Sequence, residues 1–530
     1  METGKFLPLG TCDFDVLRSS NEIYVDKTAL IYQLAGQGRG KIFLSRPRRF
    51  GKSLLVSTFE SLFSHGLRDF RGLAIEKLWR DREYRVVRLD FSKLTRTDDT
   101  EKFRQSLYDY LQIVFAPLGF RLQAPGSSFL LQLDRWLGEQ ELGSLVFLID
   151  EYDAPLVRHL DSLPRFCAVR DTLSDFFAIL KGNDRCQRFL FITGVTKLSS
   201  TSIFSAFNNL RDISLMPEYG ALLGYTEPEI RSSFAPFLQK AGEELGMGEE
   251  ELLQALRLHY DGYCFDEAAS SHVFCPWSVL NFLASPKDGF QNYWYQSGGQ
   301  PAVLTKYLEG HDLASPASAG LPRAVWLGDL KSPSQYEDIK LEVLLTQAGY
   351  LTIKSVSDGG AFLGFPNREV EDSMYRLYAE RLLRGKRLMK PDEKKVAALF
   401  AEGSVDDVVS LFNRIFNAIS YFINEINDEA SCQSHLQAVL LGASLLARSE
   451  SPTALGRSDL EILTGRRRWV FELKYARPGD QPEQLLNQAL EQVRSRHYGE
   501  TDLDPSVELI RVGLVFSSEE KRFVAWRQAD

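Results

Sequence analysis

Apolar runs and turn residues divide the chain into stretches of different rhythm. Lys41-Ile42-Phe43-Leu44 is a short apolar run, and Leu55, Phe59, Leu62 and Phe63 recur after it at helical spacing. Strand, loop and helix therefore follow one another around Ser45–Leu55. Three further runs predict strands: Arg85–Phe91, Ser144–Asp153 and Arg188–Gly194. The second is continuously apolar and ends in two acids, Asp150 and Glu151, as a buried parallel strand does. From about Met216 to Val370 the spacing turns mostly helical. Thr226 with Glu229 three residues later predicts a capping box at a helix start. Gly310–Pro322 is the clearest loop. Gly349–Val356 and Ala361–Val370 flank Ser-Asp-Gly-Gly, which predicts a β-hairpin and would suit the wing of a winged-helix-like module. Asp372 to Ile426 is helical again, and the apolar stripe of Val405–Ile423 predicts a connector packed between two halves. Asn427–Ala447 predicts one more helix. Gly456–Leu463 and Arg468–Ala476 predict two strands joined by a Thr-Gly-Arg-Arg turn. The expected segments are thus 1–215, 216–370, 371–426 and 427–530.

Length and composition narrow the class. A chain of 530 residues exceeds one ordinary core. It is 44% hydrophobic and 25% charged, with a formal net charge of -9. That balance argues against a protein that coats nucleic acid through bulk positive charge, and leaves local basic patches open. No apolar run reaches membrane-spanning length, and the N-terminal Met-Glu-Thr-Gly-Lys lacks the layout of a secretion signal, so no membrane partner and a cytoplasmic location are expected. The six cysteines are scattered without a Cys-x-x-Cys pair, which points to reduced thiols and away from zinc or a disulfide scaffold. The seven histidines are equally dispersed.

Ser45–Leu55 reads SRPRRFGKSLL and ends in Gly51-Lys52-Ser53. The usual phosphate-loop spacing places a glycine where Arg46 stands, so a phosphate loop and a basic turn are both open. The strand–loop–helix context suits the first. Backbone N–H groups and the helix N-terminus converge on phosphate there. Gly51 allows close approach, Lys52 reaches the β/γ-phosphates, and Ser53 ligates Mg²⁺. Asp150 would complete the Mg²⁺ shell and Glu151 would polarise the attacking water. Thr193, near the end of the last strand, would sense the γ-phosphate. A strand between the loop and the acid-tipped strand matches the ATPase branch that carries a catalytic glutamate.

A second chemistry lies near the C-terminus. In Arg468–Ala476, Val470, Glu472 and Lys474 share one face, with Glu472 and Lys474 roughly 7 Å apart along the strand. Asp459 lies on the partner strand and can meet Glu472 across the hairpin. Two carboxylates hold Mg²⁺ through oxygen, and a lysine beside them orients water or neutralises a phosphoryl transition state. The bland alternative is an exposed surface pair. Glu429 and Gln433 lie one turn apart on the helix upstream. Gly465–Trp469 carries a basic run that either contacts phosphate or is a solvated turn. The aromatics of His259–Phe265, Cys275–Leu283 and Asn292–Gly299 read as core and turn residues of a helical lid rather than as ligand contacts.

Together, YVDKTALI (Tyr24–Ile31), RPRRFGKSLL, FLIDEYDAPL and ITGVTKLSSTSIFSAFNNL resemble the AAA-ATPase-like proteins that carry a C-terminal PD-(D/E)XK nuclease domain. The resemblance spans nearly the whole chain. It implies an AAA/ASCE-like P-loop NTPase with a parallel sheet and a helical lid, followed by an α/β nuclease-like domain. A glycine-poor loop is normal in that family. It carries the nuclease roles to Glu429, Asp459, Glu472 and Lys474, and a supporting role to Gln492. Gln433 departs from a frequent histidine, and Ser458 from the proline of the motif's name. The implied cofactors are ATP and Mg²⁺, with Mn²⁺ as an alternative at the second site; Ser53, Asp150, Glu429, Asp459 and Glu472 are the implied metal ligands. DNA is the default partner, with RNA and a homo-oligomer left open; Arg211 is one candidate finger among many. The implied function is ATP binding and hydrolysis that gates or drives DNA cleavage. The alternative is an ATP-dependent switch or nucleic-acid remodeller with an inactive nuclease-like module.

Overall fold

The computed structural model describes residues 4–36, 38–94, 97, 99–123, 128–197, 210–294, 323–332, 340–374, 393–419, 428–429, 432–433, 436–437, 440, 447–453, 456–464, 466–496 and 507–529. The predicted loop Gly310–Pro322 and much of the predicted connector lie outside them. The described residues fall into two compact units, the first ending at Glu371 and the second beginning at Asp372. Among them no helix is long and apolar enough to cross a membrane.

The first unit is organised by strands β1 (Gly40–Ser45), β2 (Arg85–Asp90), β3 (Leu145–Asp150), β4 (Gln187–Gly194) and β5 (Arg211–Asp212). All pair parallel, in the order β2-β3-β4-β1-β5. The apolar runs become strands because both faces are covered. Leu190 and Ile192 join the core formed by the helices Thr100–Phe115 and Leu163–Gly182, through Leu107, Leu111, Phe176 and Leu180. Phe189 and Phe191, on the opposite face by strand alternation, pack with tilted rings against Phe59 of the helix Lys52–His65. One β4 strand therefore feeds two helical layers, and β4 separates the loop-bearing β1 from the acid-tipped β3.

Helices Glu227–Ser233, Ala235–Leu245, Glu249–Tyr260 and Pro276–Ala284 form a second core around Leu252, Leu256 and Phe282, which also takes in Ile23 and Val25. The capping box forms as expected: Glu229 accepts from the Thr226 N–H at 2.8 Å. The expected hairpin is β7 (Thr352–Ser357) and β8 (Gly360–Gly364), turned by Asp358 and Gly359, both at positive φ. β6 (Arg323–Trp326) adds a third antiparallel strand.

The second unit carries β9 (Ala447–Thr453), β10 (Gly456–Thr464), β11 (Arg467–Ala476), β12 (Glu508–Ser517) and β13 (Arg522–Ala529), ordered β13-β12-β11-β10-β9. β10 and β11 form the expected antiparallel hairpin. β11 and β12 are parallel, joined through the helix Pro482–Ser495. That helix sits close on β12 at Gly513, where an added Cβ would lie 3.2 Å from Ala489. Val470 packs with Leu486, Leu490 and Val493 on this side. Trp469 and Phe471 face the other side, against Phe400 and Phe412 of the helices Glu393–Glu402 and Val405–Ile419. The described part of the predicted connector thus builds one wall of the second unit.

Candidate active sites

The loop after β1 turns at Gly51, whose φ of +90 is left-handed and whose Cβ direction is open. Backbone geometry, and not crowding, demands glycine there. The helix Lys52–His65 starts at once and no side chain caps it. Its leading N–H groups and its dipole suit an anion. Lys52 is buried, and burial lowers its pKa; its ammonium donates to the Arg46 and Pro47 carbonyls, both at 3.0 Å. Asp150 is buried at the tip of β3, and burial raises its pKa, with the Ser53 hydroxyl bonded to its carboxylate. Glu151 follows with φ +47, its N–H on Asp150 Oδ1 at 2.9 Å, and burial raises its carboxyl as well. Gly51, Lys52, Ser53, Asp150 and Glu151 are therefore brought together. Thr193 is not placed with them for phosphate: it is fully buried and its hydroxyl donates to the Leu44 carbonyl at 2.7 Å.

Arg46 answers the question posed by the missing glycine. It is 1% exposed and donates to the carbonyls of Ser45, Ser214 and Tyr219 at 2.9, 2.6 and 3.1 Å, while its guanidinium covers Phe265 at 4.4 Å. Burial pulls its pKa down to about 9. It is an internal strut that ties the loop to the segment after β5. Arg49 instead reaches outward to stack on Trp277 at 4.3 Å. Most of the middle aromatics are core, as expected: Tyr260, Tyr263 and Trp294 are fully buried. Trp277 differs, since it lines the cavity over the loop. That cavity, of about 740 Å³, is bounded by Arg48–Leu55, Glu151, Pro8–Cys12, Tyr24, Val25, Lys27, Leu222–Tyr225 and Trp277. It has the size of a nucleotide-class site.

Two acids escape local sequence reasoning. Asp90 ends β2 in register with Asp150. Asp153 is buried and accepts from the Val195 and Thr196 N–H groups and the Thr196 hydroxyl, latching the end of β3 to the end of β4. Strand register reveals the first and tertiary hydrogen bonds the second.

In the second unit the β10–β11 register sets Asp459 beside β11, where its Oδ2 accepts the Leu473 N–H at 2.7 Å. Glu472 is fully buried. Burial first, then repulsion from Asp459, pushes its carboxyl up to about 7, against the pull of Lys474. The Lys474 ammonium lies 3.0 Å from Glu472 Oε1 and 3.4 Å from Glu429 Oε1. Burial opposes that charge, but Glu472, Glu429 and Asp459 hold its pKa above the usual value. Gln433 donates its amide to the Asp459 carbonyl, tying the helix to β10. All four expected residues meet here, so the surface-pair alternative fails on burial. Among the described residues Glu472 Oε2 is buried without a hydrogen-bond partner, which is costly unless a cation or donor faces it. Hard carboxylate oxygens around such an orphan fit Mg²⁺ or Mn²⁺. Gln492 is half-buried on the helix Pro482–Ser495. Among the described residues, a tighter set of candidate ligand atoms, Asp15, His65 and Asp69 within 4.8 Å, is already served by Arg68, which pairs with both acids.

The family model described as a predicted AAA-ATPase matches residues 8–204, and the one described as PD-(D/E)XK nuclease superfamily matches residues 427–526. A protein of Azotobacter chroococcum mcd 1, described as an uncharacterized protein in the vnfD 5' region, is 30% identical and aligns over 98% of each chain. The chain belongs to the AAA-ATPase-like proteins with a C-terminal PD-(D/E)XK nuclease-superfamily domain. In this AAA-ATPase-like protein the first matched region holds β1 to β4, the loop and both acids of β3. The second holds Glu429, Asp459, Glu472 and Lys474. The two matched regions thus fall in separate compact units, one ATPase-like and one of the nuclease superfamily.

Proposed function

We propose that this protein binds and hydrolyses ATP at the first site and cleaves DNA at the second, with the nucleotide state gating or driving cleavage. The observation that carries the nuclease half is the fully buried Glu472 with its orphaned Oε2, framed by Asp459, Glu429 and Lys474. Such a group is costly in a merely structural strand. In this reading Asp459, Glu472 and Glu429 hold the metal. When bound, a divalent ion activates water and neutralises phosphoryl charge. Lys474 orients the nucleophile or stabilises the scissile phosphate. At the first site Lys52 and the helix N-terminus bind phosphates, Ser53 and Asp150 hold Mg²⁺, and Glu151 takes the proton of the attacking water.

The test is incubation of the purified protein with linear and circular DNA and Mg²⁺, with and without ATP, beside Lys474→Ala. RNA is run in parallel. The expected result is ATP-dependent fragments that vanish in the variant. Intact nucleic acid while ATP is consumed would sink the cleavage reading and leave an ATP-dependent switch.

A further inference from the structure

The segment Tyr24–Ile31 lies outside the loop and the acids of the first site, yet Tyr24, Val25, Lys27 and Ile31 line the same cavity. Asp26 and Thr28 have structural work. Asp26 accepts from the Thr28 N–H and hydroxyl at 2.8 and 2.6 Å and from the Ala74 N–H at 2.8 Å, and Thr28 accepts from the Ile75 N–H at 3.0 Å. These bonds pin the chain on either side of Lys27. Lys27 itself is 11% exposed and lines the large cavity.

Among the described residues the cavity's charged lining is Lys27, Arg48, Arg49, Lys52 and Glu151. The last four belong to the loop and the end of β3, where phosphates would sit. Lys27 comes from a different segment, and the same cavity is lined by the apolar or aromatic Tyr24, Val25, Ile31, Tyr225 and Leu280. Burial lowers its pKa, and Glu229 opposes that shift. Its ammonium contacts both Glu229 oxygens at 2.6 and 2.7 Å. Glu229 is in turn fixed by the Thr226 N–H. An ammonium has three donors, and Glu229 is its only hydrogen-bonded acceptor among the described residues.

We infer that Lys27 reads the base of the bound nucleotide, donating to an in-plane ring nitrogen or carbonyl, with Glu229 as its positioning residue. This rests on the nucleotide reading above. Apolar walls cover the faces of a flat ring but discriminate weakly among rings. A fixed donor in their midst supplies the directional contact. Lys27 therefore separates a nucleoside triphosphate from a bare triphosphate.

The test is calorimetric titration of the full chain with ATP and, separately, with inorganic tripolyphosphate. Wild type is compared with Lys27→Met, Lys27→Arg and the charge-balanced double variant Lys27→Met/Glu229→Gln. The expected result is that wild type prefers ATP, that both Met variants lose roughly ten- to hundredfold in ATP affinity, and that tripolyphosphate affinity stays within about twofold. Lys27→Arg restores part of the ATP preference. ATP affinity unchanged in both Met variants overturns the inference, as does an equal loss for both ligands. Wild type binding tripolyphosphate and ATP equally also overturns it, while leaving the phosphate loop intact. Wild type binding neither removes the nucleotide reading and this inference with it.

Discussion

Replacing Arg46 with glycine restores the usual phosphate-loop spacing, and sequence logic alone expects that change to be neutral or helpful. The structure predicts the opposite. The guanidinium is the donor to the Ser214 and Tyr219 carbonyls at 2.6 and 3.1 Å, and it covers Phe265. Glycine takes the guanidinium from the buried Ser214 carbonyl, at roughly 1–3 kcal/mol, and removes a desolvated cation–π contact of about 1–2 kcal/mol, while the Tyr219 carbonyl keeps the Leu222 N–H at 3.1 Å. Asp212 does not become an orphan, because Lys197 stays 2.8 Å away. That keeps the loss at the lower end of what breaking a buried charge network costs, about 3 kcal/mol. Lys52 donates to the Arg46 and Pro47 carbonyls, so loosening the strut also frees its anchor points. The assay is urea unfolding of Arg46→Gly and Arg46→Met, followed by ATP titration. Both variants are expected to unfold the first unit earlier by this margin and to bind ATP at least several-fold more weakly. An Arg46→Gly protein as stable as wild type, with equal or tighter ATP binding, would refute the strut and make Arg46 dispensable.

Glu151→Gln is expected to retain ATP binding within a few-fold while hydrolysis falls about a hundredfold or more, read by nucleotide titration beside a phosphate-release assay. Asp153→Ala removes the acceptor for two backbone N–H groups and the Thr196 hydroxyl and is expected to cost about 2–4 kcal/mol in urea unfolding. Glu472 gives a pH dependence with a definite sign. Its carboxyl titrates near 7 in the fold against an ordinary 4.5, so the fold favours the protonated form. The resulting penalty is absent below the ordinary value, grows as pH rises from there to 7, and levels off at about 3 kcal/mol above it. In a metal chelator, wild type should therefore lose about 2 kcal/mol more second-unit stability between pH 5 and pH 8 than Glu472→Gln does. Parallel curves for the two proteins would contradict the assigned environment.

Much of the first sheet was legible because its strands are buried on both faces and so appear as unbroken apolar runs, as in Leu145–Asp150. The β7–β8 and β10–β11 hairpins announced themselves through turn residues, and the Thr226–Glu229 box through its spacing. β12 carries an apolar run like that of β3, yet nothing local says that it pairs parallel to β11. β6 and β9 are polar or short enough to pass for connections. The second site was legible in Asp459, Glu472 and Lys474 because a hairpin of known register brings them together. Thr193 misled because a polar residue near a strand end looks alike whether it meets a ligand or a neighbouring carbonyl. Asp90, Asp153 and the seat of Lys27 depend on partners 42 to 202 positions away, or on strand register, and sequence spacing carries no such information.

The positive φ of Glu151 sets stability and chemistry against each other at one position. Glycine or asparagine adopts that backbone at lower cost than glutamate, by about 1 kcal/mol. Neither can accept the proton of an attacking water. If the proposed ATP hydrolysis holds, a selection for heat resistance alone would therefore drift toward a more robust and silent protein at residue 151, whereas a selection for turnover would hold the less comfortable residue in place.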